Sequence, residues 1–140
     1  MYLRAQSYWL SARALVTAKV KHGDADAPIR FLYYHAFELY LKAILRHHFT
    51  VAQLSSSRFG HKTDKLCDEA LKHGLVVGEH DVELFGMIDD ADTVIRARYN
   101  LFGPARWPET KALNSACENL NKDVGTALQK AGYSVRVWTR

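Results

Sequence analysis

The sequence predicts an all-α protein, an antiparallel bundle of about five helices, on three observations. Apolar residues recur at helical rather than alternating spacing through most of the chain, and turn residues break that pattern at regular intervals. One segment, Pro28–His48, is apolar around most of its circumference, which suits a helix at the centre of a bundle. The 140 residues suffice for one core and are too few for two.

The first helix is expected over Tyr2–Lys21, with Leu3, Trp9, Leu10, Ala14, Leu15 and Ala18 as its apolar face, ending in the turn His22-Gly23-Asp24-Ala25-Asp26. Asp26 then stands as cap candidate ahead of Pro28, a residue suited to a first helical turn. In the second helix Ile29, Leu32, Ala36, Leu39, Tyr40, Ala43 and Ile44 form a broad arc, widened by Phe31, Tyr34, Phe37, Leu41 and Leu45. The serine-bearing stretch Thr50–Gly60 reads as the most flexible loop. A third helix covers Thr63–His73 and stops at Gly74.

A fourth helix is expected over Glu79–Asn100, with Val82, Phe85, Ile88, Ala91 or Thr93, and Ile95 inward. Its acidic start and basic end, Arg96 and Arg98, complement the helix dipole. The run Gly103-Pro104-Ala105-Arg106-Trp107-Pro108 forces a link, and a fifth helix follows over Pro108–Ala131. Residues 1–132 therefore read as one helical bundle domain. Residues 133–140 read as a C-terminal tail that is extended or loose.

Hydrophobic content of 48% and charged content of 24% are those of a globular chain. The net charge of +4 is uneven: residues 1–60 carry eight Lys/Arg against three Asp/Glu, residues 61–140 eleven against twelve. The acidic excess around Glu79, Asp81, Glu83, Asp89, Asp90 and Asp92 reads as a solvated helix face. Cys67 and Cys117 form no CxxC and read as small apolar side chains in a reducing compartment. Arg4, Arg13 and Lys19 interrupt any signal-peptide core, and no uncharged apolar run approaches the roughly 18 residues of a membrane span. The expected location is the cytoplasm, without membrane contact.

No metal-ligand spacing, phosphate loop or nucleophile elbow occurs, so no metal or cofactor is expected. Two clusters remain. His35, Glu38, Lys42 and Arg46 fall within about 80° of one another on the second helix, with Glu38 and Lys42 at ion-pair spacing. This stripe reads as a solvated face or as the charged floor of a phosphate or base site, open to water, a partner or a ligand. Arg96, Arg98 and Tyr99, followed by Trp107, read as cations and aromatics closing the bundle end or as a group holding phosphate and base. His61, just before the third helix, reads as a local cap or interface residue.

Phe37-Glu38-Leu39-Tyr40-Leu41-Lys42-Ala43-Ile44-Leu45 resembles the E-L-x-L-K-A-x-L helix of HEPN domains (higher eukaryotes and prokaryotes nucleotide-binding). Gly60-His61-Lys62-x-x-Lys65-Leu66 resembles the G-H-x-L-x-x-L that opens that family's next helix, and Arg98-Tyr99 resembles its later R-Y. The matches run in order across residues 2–131. The resemblance implies an antiparallel helical bundle, often a homodimer.

Many members are metal-independent ribonucleases using Arg, four to six residues, then His. Counted from Arg96 the His would fall at Leu101, Phe102 or Gly103, and from Arg98 at Gly103, Pro104 or Ala105. Arg30 and His35 match the spacing, but on a helix they point about 140° apart. The expectation is therefore a non-catalytic HEPN-like module. It would bind a nucleotide or RNA, or a nucleotidyltransferase-type partner in a toxin–antitoxin-like pair, through Glu38, Lys42, Arg98 and Tyr99, with His61, His35 and Arg96 behind them. The alternatives are a divergent ribonuclease using His61 or His35 with Arg98, and a purely structural interaction domain.

Overall fold

A computed structural model describes residues 1–21, 23, 26–90 and 108–139. Six helices are described: α1 (Tyr2–Ala18), α2 (Asp26–Leu45), α3 (Val51–Leu54), α4 (Thr63–Lys72), α5 (Glu79–Asp90) and α6 (Thr110–Lys130). No strand occurs among the described residues, so the all-helical expectation holds there. None of the described helices is long and apolar enough to cross a membrane.

α2 is the central helix and touches α1, α4 and α6, while α5 lies against α4. Tyr2 meets Tyr40 and Tyr8 meets His35, so α1 and α2 are antiparallel. Asn114 bonds Trp9 and Asn121 bonds Tyr2, so α1 is antiparallel to α6 as well. The same two asparagines reach Tyr33 and Tyr40 in that order, so α2 and α6 run the same way. The core fills with large rings: Trp9, Tyr33, Tyr34, Phe37, Tyr40 and Phe85 are almost fully buried.

Local chemistry explains the helix ends. α1 stops at Ala18 rather than Lys21 because Lys19 adopts a left-handed conformation (φ 51°), its N–H bonding the Val16 carbonyl. Asp26 lies inside the first turn of α2, where its charge suits the dipole. After α4, Gly74 (φ 90°) turns the chain and the Leu75 N–H reaches the Ala70 carbonyl. After α6, Gly132 (φ 92°) does the same, with Tyr133 bonding Leu128. Both are the left-handed stop that glycine permits.

Three expectations change. α1 buries Tyr2, Ala5, Gln6, Trp9 and Ala12, whereas Leu3 is 64% exposed and Ala14 and Ala18 face solvent. Small side chains let α1 approach its neighbours closely, and Gln6 has polar partners waiting inside. The stretch Thr50–Gly60 is anchored rather than loose. Thr50 and Gln53 form a reciprocal capping box on α3, and Leu54 and Phe59 are buried. The acidic run is not wholly solvated, since Asp81 is buried and accepts a 2.8 Å bond from Asn119 Nδ2. Beyond residue 90, the expected fourth helix and the link up to Trp107 lie outside the described residues.

Residues 133–139 lie extended across α1 and α6. Gln6 Nε2 donates to the Arg136 carbonyl (2.8 Å), Asn121 Nδ2 donates to the Trp138 carbonyl (2.9 Å), and Trp138 meets Trp9 edge to face. The Arg13 guanidinium lies 5.5 Å from the Trp9 ring and 5.0 Å from that of Trp138. Gly125 makes this docking possible. A Cβ there would collide with the Tyr2 hydroxyl and come within 2.6 Å of Val137 Cγ2. Gly125→Ala is thus expected to destabilise the fold by about 1–3 kcal/mol despite alanine's better helix propensity, as chemical denaturation would show.

Candidate functional site

The site is built around one carboxylate. Glu38 lies on α2 among apolar neighbours and is only 6% exposed. Lys42, one turn on and 7% exposed, donates from Nζ to Glu38 Oε1 at 2.6 Å. The second oxygen, Oε2, lies 2.8 Å from His61 Nδ1 and 3.8 Å from His35 Nδ1, the latter an ion-pair distance rather than a hydrogen bond.

Chain path explains how His61 arrives there. His61 meets Glu38 near the start of α4, and His73 stacks on His48 near its end, so α4 runs alongside α2 in the same direction. The return leg 49–62, anchored by Leu54 and Phe59, carries the chain back along α2 to make that possible.

Burial alone would push the Glu38 carboxyl up from its ordinary 4.5. His35, His61 and Lys42 more than offset that and hold it at about 2. Glu38 is therefore ionised and can only accept, which makes His61 Nδ1 the donor. Nε2, across the ring, belongs to the outward side of a side chain that is 56% exposed. His35 is held differently. Its ring sits edge-on to Tyr8 (4.4 Å) and stacked on Phe31 (5.8 Å), with 24% of the side chain exposed.

Four of the seven candidate residues, His35, Glu38, Lys42 and His61, thus come together. The stripe is nevertheless not an open charged floor. Glu38 and Lys42 are buried and neutralise each other, and of the four residues brought together the exposed one is His61. Arg46 stands apart, donating to the Phe49 carbonyl at 2.7 Å beyond the end of α2. Arg96, Arg98 and Tyr99 lie outside the described residues.

Next to His35, Tyr8 also lines an open groove of about 760 Å³ with Met1, Leu3, Arg4, Ser7 and Leu39. Among the described residues no three His, Cys, Asp or Glu side chains are placed to hold a metal. Cys67 and Cys117 are buried and unpaired. Burial, reinforced by Asp68 and Asp81, pushes the Cys67 thiol up to about 12, and burial with Asp81 raises Cys117 as well, so neither is a poised thiolate.

The depressed Glu38 carboxyl sets a pH dependence. Its contribution to stability is complete above its ordinary value of 4.5 and is lost as pH falls toward about 2. Denaturation curves from pH 6 to pH 2 are expected to show a loss on the order of 3 kcal/mol in wild type that is missing in Glu38→Gln.

Sequence reasoning missed two further features. Asn114 and Asn121 sit seven residues apart on the buried face of α6, a polar interruption of an apolar stripe that marks a buried network. The His48–His73 stack (3.8 Å) joins α2 and α4 across the fold and leaves no local signal. Comparison with known protein families, curated proteins and solved structures finds no match to this chain.

Proposed function

We propose that this chain is a non-catalytic, HEPN-like module that binds a nucleotide or RNA, with His61 and His35 as its outward contacts, and that it works as a homodimer. The observation that supports this most is the Glu38–His61 hydrogen bond. It joins the two segments that resemble the family, E-L-x-L-K-A-x-L and the G-H start, into one site. A buried carboxylate that fixes one ring nitrogen leaves the other available to a phosphate or a base edge. The adjoining groove adds Tyr8 for stacking and Arg4 for phosphate. Its exposed Met1 and Leu3 also suit a protein surface, either a second copy or a nucleotidyltransferase-type partner.

A thermal-shift series with ATP, other nucleotides and short RNA in EDTA tests the reading. Stabilisation by at least one ligand is expected, and it should vanish in His61→Gln. No stabilisation by any of them, with a monomer by light scattering, would contradict it.

The second reading is a divergent metal-independent ribonuclease. It is favoured by the same pair, since a carboxylate-oriented imidazole is also the form of a proton-transfer residue. RNA cleavage in EDTA that disappears in His61→Gln would put this reading first.

A further inference from the structure

We propose that His61 is a phosphoryl-acceptor residue, taking a phosphoryl group on Nε2 from a small acyl phosphate or phosphoramidate donor. Two observations converge on this ring. Glu38 Oε2 accepts from Nδ1 at 2.8 Å, so a neutral His61 keeps its lone pair on Nε2. The side chain is 56% exposed, and Nε2 lies across the ring from the nitrogen that meets the buried carboxylate. Lys62 and Lys65 follow closely in sequence and are exposed, with Asp64 between them.

The transfer balances without an oxidant or an added proton. With phosphoramidate, the Nε2 lone pair attacks phosphorus, an N–P bond forms, and the donor's own P–N bond breaks. Its nitrogen leaves as ammonia with the bonding pair. The ring keeps its Nδ1 proton and becomes an imidazolium, and the Glu38 carboxylate neutralises the charge that appears. This is the service a carboxylate gives an imidazole in a catalytic triad. Lys42, bound to the other carboxylate oxygen, holds Glu38 in place for it.

The inference goes beyond the binding proposal and does not rest on it, since a chain that bound no nucleotide would still be labelled. The test is incubation of the full chain with potassium phosphoramidate, followed by peptide mapping at alkaline pH. His47, His48 and His80 are exposed histidines that make no carboxylate hydrogen bond among the described residues, and they serve as references within the same molecule. The expected result is an acid-labile, base-stable adduct at His61, formed at least about tenfold faster than at those three. Glu38→Gln, checked for folding by circular dichroism, should bring His61 down toward the reference rate. Labelling of His61 no faster than the other three, or a preference that survives intact in folded Glu38→Gln, would overturn the proposal. Should Glu38→Gln fail to fold, the ratio within the wild-type chain decides alone.

Discussion

Glu38→Ala is expected to destabilise the protein by about 3–5 kcal/mol, because it strands the Lys42 ammonium in a buried position. Lys42 is 7% exposed, and its Nζ donates to Glu38 at 2.6 Å. The same substitution releases His61, whose Nδ1 then has no carboxylate to meet. Removing both charges tells desolvation apart from packing. Glu38→Leu with Lys42→Met should recover most of the loss, since an apolar pair of similar volume often matches or exceeds a buried ion pair. Urea denaturation of the two variants and wild type measures this. A loss below about 1 kcal/mol in Glu38→Ala would mean the pair is effectively solvated.

The second large effect is expected at Asn121, which is 1% exposed. Its Oδ1 accepts from Gln6 Nε2 (2.8 Å) and the Tyr2 hydroxyl (3.0 Å), and its Nδ2 donates to the Trp138 carbonyl (2.9 Å). One amide thus ties α1, α6 and the C-terminal segment. Asn121→Ala leaves one Gln6 amide hydrogen and the Trp138 carbonyl without their partner, while the Tyr2 hydroxyl keeps the Asn121 backbone carbonyl and Gln6 keeps the Arg136 carbonyl, at a cost of about 2–4 kcal/mol. The midpoint of thermal unfolding should fall by on the order of 10 °C. The change should also be visible locally: amides of residues 133–139 should exchange faster, and Trp138 should lose its edge contact with Trp9, altering fluorescence. A variant that unfolds at the wild-type temperature with the segment still protected would refute the strapping role.

The contrast between these two sites shows what the sequence discloses. The Glu38–Lys42 pair was legible because four-residue spacing on a helix fixes its geometry locally. Helix stops at Gly74 and Gly132 were legible for the same reason. Burial of that pair was not, because it depends on α4 returning alongside α2, a contact between positions 38 and 61 set by tertiary packing. Gln6 shows the same limit. Hydropathy assigns it to the surface, yet its partners lie 115 and 130 residues away, and a buried polar side chain is recognised only once those partners are known. The face of α1 was misassigned for a related reason: close approach to two neighbours selects Ala5 and Ala12 over the larger Leu3. His61 was singled out by its place in a Gly-His motif, but its orientation came only with the carboxylate opposite it.

Glu38 fixes the His61 ring through Nδ1, and the proposed function has the second ring nitrogen meet a ligand. Long-range proton–nitrogen NMR of the imidazole rings, recorded with and without a short RNA oligonucleotide, addresses it directly. His61 is expected to carry its proton on Nδ1 when neutral and to show an Nε2 resonance that shifts on adding RNA, with both features lost in Glu38→Gln. A His61 protonated on Nε2 and unmoved by RNA would contradict it.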